Sequence, residues 1–383
     1  MATEVARPRR ARWAWLEAVG SQALALVGAF AFAAALGSII IIAYGESPFF
    51  VYRVVWEFST ARLSDLARVL AIATPLIFSG LAVAVAFKAG LFNIGVEGQY
   101  RVGMAAAAAG AATLGFLPGP LLLFAVVLCA VAGSMLWAWL PAFLKVKTGA
   151  HEVVTTIMMN GIATSLVGWA ILHPLRTAER GLVDLRTAPF PDNALIPTIS
   201  ESLGLQESIP PSAHLTWLFV IAALACVAVW FVMYRSRLGY EVRAVGSSAG
   251  SAEAGGISIG ATQIKVFLIS GALAGFVGLN HILGDKGYLG SNYEGGLGFA
   301  GIAVAFLGRN HPAGVFLAAI LVGMLQRGQD GVAVTTDLPT EILIILQGLL
   351  ILSVVIAYEL VNRALTRRRQ RLVRAEELSD APA

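Results

Sequence analysis

Uncharged apolar runs of membrane-crossing length constrain this chain more than any other feature. Residues 19–44 hold no Asp, Glu, Lys or Arg, and a helix needs about 20 such residues to cross a hydrocarbon core about 30 Å thick. Further apolar runs cover 69–87, 102–116, 120–144, 153–172, 215–234, 264–283, 299–307, 312–325 and 342–358. They are continuous rather than striped at period 3.6 or 2, so each element faces lipid or other helices on all sides. The charged fraction is 13%, against roughly 25% in a soluble domain, which excludes a soluble globular fold. The expected fold is all-α, a polytopic membrane helix bundle of about ten transmembrane helices. The runs at 102–116, 299–307 and 312–325 are short, which predicts broken helices shielded from lipid by their neighbours.

Arg7, Arg9, Arg10 and Arg12 precede the first run. That run exceeds the 7 to 15 residues of a signal-peptide core, so a retained first helix is expected. An even number of spans puts both termini on one side, and on that threading 19 of the 27 basic residues share it, Lys88, Arg101, Lys145, Arg243 and Arg309 among them. The positive-inside rule makes that side cytoplasmic. The chain then reads as a basic cytoplasmic tail (1–18), a transmembrane domain (19–360) and a second basic cytoplasmic tail (361–383). The domain carries an extracytoplasmic loop (173–214), with some short helix, and a cytoplasmic loop (235–263). Arg367, Arg368, Arg369 and Arg371 read as an anchor near anionic headgroups, and nucleic-acid binding has no other support. Cys129 and Cys226 lie inside apolar runs and imply neither disulfide nor metal.

The stretch Leu91-Phe92-Asn93-Ile94-Gly95-Val96-Glu97-Gly98-Gln99 places polar groups among glycines between two apolar runs. It fits an interrupted helix whose freed backbone and carboxylate line a cavity, and it equally fits a plain cytoplasmic turn. A similar Gly-rich stretch with Glu294 returns at 292–301, after one span and before others, which is a weak inverted repeat. His151-Glu152 opens another run, with a possible helix start at Thr148, but Thr155 stands where a zinc-protease helix needs its second His. Asn160, about two turns into that run, reads as helix–helix glue or a pore-lining amide. Gly271, Gly275 and Gly278 read as close helix packing.

Residues 235–257 read as two short helices, with Ser247 or Ser248 as an N-cap and Gly255-Gly256 as the stop. A plain basic connector and a segment that docks into a soluble partner both fit. The match of Gly256-Ile257-Ser258-Ile259-Gly260 to a nucleophile elbow lacks the strand-turn-helix context, and that of residues 296–301 to a dinucleotide fingerprint lacks the preceding strand and the later acid. No Gly-x-x-x-x-Gly-Lys-Ser/Thr phosphate loop occurs, so ATP chemistry would come from another polypeptide. The five histidines form no cluster for an intramembrane enzyme. A secondary transporter running on an ion gradient would use Glu97 as its coupling carboxylate.

Four blocks carry a resemblance: residues 92–99, residues 152–160, Arg243-Ala244-Val245-Gly246 with the Ala-rich helix that follows and Gly256-Ile257, and residues 298–308 with Pro312. Together they resemble the permease subunits of ATP-binding-cassette (ABC) importers in the sugar, nucleoside and branched-chain amino acid branch, and are most similar to nucleoside-type permeases served by a basic-membrane-protein-type lipoprotein. The resemblance implies a non-enzymatic subunit of a bacterial-type cytoplasmic membrane that forms the path for a small polar solute, a nucleoside or else a simple sugar such as ribose. It implies a homologous second permease, a cytoplasmic ABC ATPase bound through the loop with Gly239, Arg243, Gly246, Glu253 and Gly256, and an extracytoplasmic substrate-binding lipoprotein. No cofactor is implied. For the solute path the residue types select Asn93, Glu97, Gln99, Asn160 and Phe299, since a nucleoside or sugar needs amide and carboxylate partners and an aromatic face.

Overall fold

The structure is a computed structural model that describes residues 28, 31–177, 185–293 and 295–336, and part of 338–367. In chain order its helices are α1 (Ala31–Ala43), α2 (Pro48–Thr60), α3 (Leu63–Lys88), α4 (Val96–Thr113), α5 (Gly119–Thr148), α6 (Glu152–Leu172), the short α7 (Ile199–Leu203), α8 (Leu218–Arg235), α9 (Arg237–Ser247), α10 (Ala249–Ala254), α11 (Ile259–Val277), α12 (Leu297–Leu307) and α13 (Pro312–Thr335). A π-helical turn, Asn280–Lys286, extends α11. The fold is all-α: among the described residues only isolated bridges form, such as Arg186 with Gly290.

Five of these helices are long and apolar enough to cross a membrane: α3, α5, α6, α8 and α11 with its π-helical extension. A sixth span results if α1 and α2, which meet at 114°, count as one broken span. The chain divides into residues 55–328 and residues 1–54 with 329–383. In the smaller unit the Tyr52 hydroxyl donates to the Ala34 carbonyl at 2.7 Å, and a Cβ on Gly37 would meet the Leu346 side chain at 2.7 Å.

In the larger unit α3 is central. Its most apolar window is 83% buried, against 28% for α5 and for α8, so α3 is enclosed by protein while α5 and α8 turn most of their surface outward. It packs on α11, α12 and α8, while α5 packs on α4 and α11. Lipid tails are as apolar as Leu, so close packing rather than expulsion from water holds such helices together. Gly271 and Gly275 supply that closeness, because a Cβ there would stand 2.6 Å from Ala138 and 2.7 Å from Val131 of α5.

α3 and α11 run antiparallel. Arg68 near the start of α3 and Asp285 past the end of α11 line one cavity. At the opposite end, Gly246 of α9 lies against the Lys88 carbonyl that closes α3, and Glu241 of α9 faces Lys265 of α11 at 3.9 Å. Each long helix is followed by a Gly-rich stretch and a shorter helix, so the two passages cross in opposite senses.

Several boundaries differ from the sequence reading. The run at 102–116 starts at Val96, taking Glu97, Gln99 and Arg101 into α4; Arg101 is therefore packed inside the bundle rather than set in an inner loop. The run at 312–325 is not a broken helix, because backbone hydrogen bonds are indifferent to side-chain polarity and α13 continues through Gln326, Arg327 and Asp330 to Thr335. Thr148 closes α5 instead of opening α6; Gly149, at φ +71°, ends the helix in the left-handed region, and His151 caps α6 by accepting from the Val153 N–H. α2 occupies residues that the hydropathy left between spans. The tail at 1–18, Glu294, and the tail at 361–383 apart from Arg363 and Arg367 lie outside the described residues.

Candidate functional site

The site begins where α3 ends. Gly90, at φ +71°, turns the chain after Lys88, and residues 91–95 run back between neighbouring helices before α4 begins. The depth of that return follows from three hydrogen bonds. Asn93 Nδ2 donates to Ser270 Oγ at 2.8 Å, and Ser270 Oγ donates to the Ala82 carbonyl at 2.7 Å. Ala82 lies six residues before the end of α3, so α4 starts roughly 9 Å inside the bundle at 1.5 Å per residue. An interior helix start leaves unpaired N–H groups with no water to take them. The sequence has to supply acceptors.

Asn93 and Asn160 do so for α4. Asn93 Oδ1 accepts from the Gly95 N–H at 3.0 Å, and its amide also pairs reciprocally with Gln99, both bonds at 3.1 Å. Neither α4 nor α12 carries a side-chain cap of its own. The Gly98 N–H donates instead to Asn160 Oδ1 of α6 at 2.8 Å, while Asn160 Nδ2 donates to the Ile94 carbonyl at 3.0 Å. Ser134 of α5 donates to the Gln99 carbonyl at 2.7 Å.

Glu97 does the same for α12. Its Oε1 accepts from the Gly296 N–H and its Oε2 from the Gly298 N–H, each at 2.8 Å. The Tyr100 hydroxyl donates to Oε1 at 3.1 Å, and Arg101, one turn along, forms an ion pair with it. Arg101 also bonds Thr164 of α6 and lies 5.4 Å from the Tyr293 ring centre. The positive ends of two helix dipoles thus converge on one carboxylate. Gly296, at φ +88°, allows the entry turn, and Gly298 is so close to the Glu97 backbone that no side chain fits between them.

Of the five residues selected for a solute path, four form this one network, with Asn93, Glu97 and Gln99 almost fully buried and Asn160 8% exposed. Their polar atoms are occupied by protein groups. Phe299, in the first turn of α12, is 50% exposed. Sequence reasoning missed Arg101, although its i+4 spacing from Glu97 is a readable signal. It also missed Ser134 and Ser270, which only the tertiary fold brings to the site.

The loop at 235–263 forms two short helices. Ser236 caps α9 and Ser248 caps α10, accepting from Gly239 and Ser251 N–H groups at 3.1 and 3.3 Å. Gly239 is pressed against the Val232 and Met233 carbonyls, and Gly246 against that of Lys88. The Arg243 guanidinium lies 5.5 Å from the centre of the Tyr234 ring. Glu253 is exposed, and Gly256 turns at φ +79° in open space.

Comparison with known proteins agrees with this architecture. Residues 66–355 match the family described as branched-chain amino acid transport system / permease component. The glucose ABC transporter permease protein TsgB13 of Haloferax volcanii is 33% identical over 91% of this chain and 90% of its own length. The guanosine ABC transporter permease protein NupP of Bacillus subtilis is 34% identical over 85% of this chain and 90% of its own. The nucleoside ABC transporter permease protein NupB of Lactococcus lactis is 30% identical over 86% and 90%. With a matched region that takes in every helix from α4 to α13 and the Glu97 network among them, this chain belongs to the branched-chain amino acid transport system permease component family.

Proposed function

We propose that this chain is the membrane-spanning subunit of an ATP-driven importer for a nucleoside, with a simple sugar as the second candidate solute. Two of the three relatives above carry nucleoside or guanosine in their names and one carries glucose. The observation that carries the reading is the meeting of two interior helix starts at Glu97, with the half-exposed Phe299 next in sequence to the Gly298 that Glu97 holds. Transporters use such discontinuous helices to present backbone dipoles to a solute. In this reading Asn93, Gln99, Asn160 and Glu97 hold the helix starts in place, and Phe299 offers a face for a base or sugar ring to stack on.

The ATPase is a separate cytoplasmic subunit that docks on α9 and α10, where Glu253 is exposed and Arg243 packs on Tyr234. The chain pairs with a second permease, receives solute from an extracytoplasmic binding lipoprotein, and keeps both termini in the cytoplasm of a bacterial-type membrane. Coupling to an ion gradient through Glu97 is disfavoured, because both its oxygens are already bonded and Arg101 neutralises it.

The test is co-purification in mild detergent, followed by reconstitution and uptake of guanosine and glucose with and without ATP. ATP-dependent guanosine uptake that survives an ionophore is the expected result. A chain that purifies alone and transports on an ion gradient overturns the reading.

A further inference from the structure

At the end of the bundle opposite α9 and α10, a cavity opens between α3, the π-helical turn and α13, with Leu297 of α12 in its wall. It encloses about 90 Å³, and about 560 Å³ when its open mouth is counted. Two of its walls depart from regular α-helical hydrogen bonding. Pro75 lies inside α3 and has no N–H to return to the Ala71 carbonyl, and both residues line the cavity. The opposite wall is the seven-residue π segment, a conformation rare enough to mark functional sites.

The side chains facing this space have hydrogen-bonding capacity in hand. Asn280 Oδ1 accepts from the Thr216 hydroxyl at 2.7 Å, whereas its Nδ2 has no partner among the described residues. Gln326 has none for either end of its amide. Arg68 makes one long bond, at 3.5 Å, to the Ser212 carbonyl. Across the cavity Asp285 is matched by His214 at 3.3 Å and Lys286 at 3.5 Å. The site therefore offers directional donors and acceptors with its acidic group already paired. That suits a polyhydroxylated molecule, whose hydroxyls can both donate and accept.

We propose that this cavity is a binding station for the sugar hydroxyls of the solute, with Gln326, Asn280 Nδ2 and Arg68 as its hydrogen-bond partners. The assignment rests on the nucleoside or sugar reading above and places the solute's first contact with this chain away from Glu97. The two sites share a wall: Leu297, which lines the cavity, is the residue between the Gly296 and Gly298 N–H groups held by Glu97.

The experiment uses the complete reconstituted transporter with guanosine and glucose as probes. Gln326→Met keeps the side-chain length but removes both polar ends. Asn280→Asp keeps the acceptor for Thr216 and removes the unpaired donor. Each is expected to raise the half-saturating concentration for uptake roughly tenfold, the scale of one lost hydrogen bond, with the amount of folded transporter in the liposomes unchanged. In a Gln326→Cys variant, modification by a water-soluble thiol reagent is expected to slow when guanosine or glucose is present. Wild-type half-saturation in both variants, or labelling that neither solute slows, overturns the station while leaving the importer reading intact. If the wild-type transporter carries neither solute, the solute reading fails and the station falls with it.

Discussion

Asn160 of α6 accepts the Gly98 N–H at 2.8 Å, and one residue earlier Glu97 accepts the Gly298 N–H at the same distance. Each short helix is capped by the helix before it in a relay, α6 to α4 and α4 to α12. Neither start can move without the residue that holds it.

Glu97→Gln removes half of this arrangement. The amide retains one acceptor oxygen, turns an NH₂ group toward a backbone N–H, and leaves Arg101 without its ion partner. Breaking a buried pair in this way costs about 3–5 kcal/mol. Uptake is expected to fall at least tenfold while the chain still inserts into the membrane, measured as transport against immunoblotted membrane content. Normal uptake by the variant would remove Glu97 from the mechanism.

Asn160→Ala leaves the Gly98 N–H and the Ile94 carbonyl unmatched, a loss of about 1–3 kcal/mol for each buried group. Asn160→Asp restores the acceptor alone and is expected to recover part of the loss. Thermal unfolding in detergent ranks the three, with wild type highest and Ala lowest.

Glycine substitutions separate close backbone approach from simple helix interior. Gly298→Ala forces a Cβ against the Glu97 backbone, and Gly301→Ala forces one against Ser79; both are expected to abolish uptake and lower the yield of folded protein. Gly168→Ala, where nothing lies within 4 Å, is expected to leave uptake unchanged and to raise stability by up to about 1 kcal/mol through helix propensity.

Arg243→Glu combined with Glu253→Lys removes the guanidinium packed on Tyr234 and reverses the exposed charge of α10. Weaker co-purification of the ATPase is expected, with the permease itself still folded. Undiminished recovery of the ATPase would show that this loop is not the dock.

His311, in the break between α12 and α13, is held below the usual imidazole range, first by burial and then by the nearby Lys88 and Arg309 charges. The folded chain therefore binds fewer protons here than the unfolded chain. Stability from this group is present above the ordinary value of 6.5 and is lost as pH falls below it. The melting temperature is expected to drop between pH 7 and pH 5, and His311→Gln to make that drop shallower.

Elements whose evidence is local were legible in the sequence. The hydropathy of residues 69–87 and 215–234 marked α3 and α8, and the Ser and Gly residues around 248 and 255 marked the start and stop of α10, because caps and breakers act within one turn. The polar stretch at 93–99 was legible as a place where a helix is interrupted. Its partners were not, since Ser270, Gly296 and Gly298 come from the other half of the chain and only folding brings them together. α13 was under-read for another reason: hydropathy reports what a surface faces, not whether the backbone is helical, and inside the fold Arg327 is matched by Asp65 at 2.9 Å.

The cap on α12 also sets an order of events during synthesis. Glu97 leaves the ribosome 199 residues ahead of the Gly296 N–H that it receives, so the acceptor is in the membrane well before the donor exists. Until α12 arrives, Arg101 is the partner that keeps the waiting carboxylate neutralised. A fragment ending at residue 290 keeps that pair, whereas the complementary fragment beginning at residue 291 brings an interior helix start into lipid with nothing to receive its N–H groups. Co-expression of the two pieces should therefore rescue the second from degradation and leave the lifetime of the first nearly unchanged.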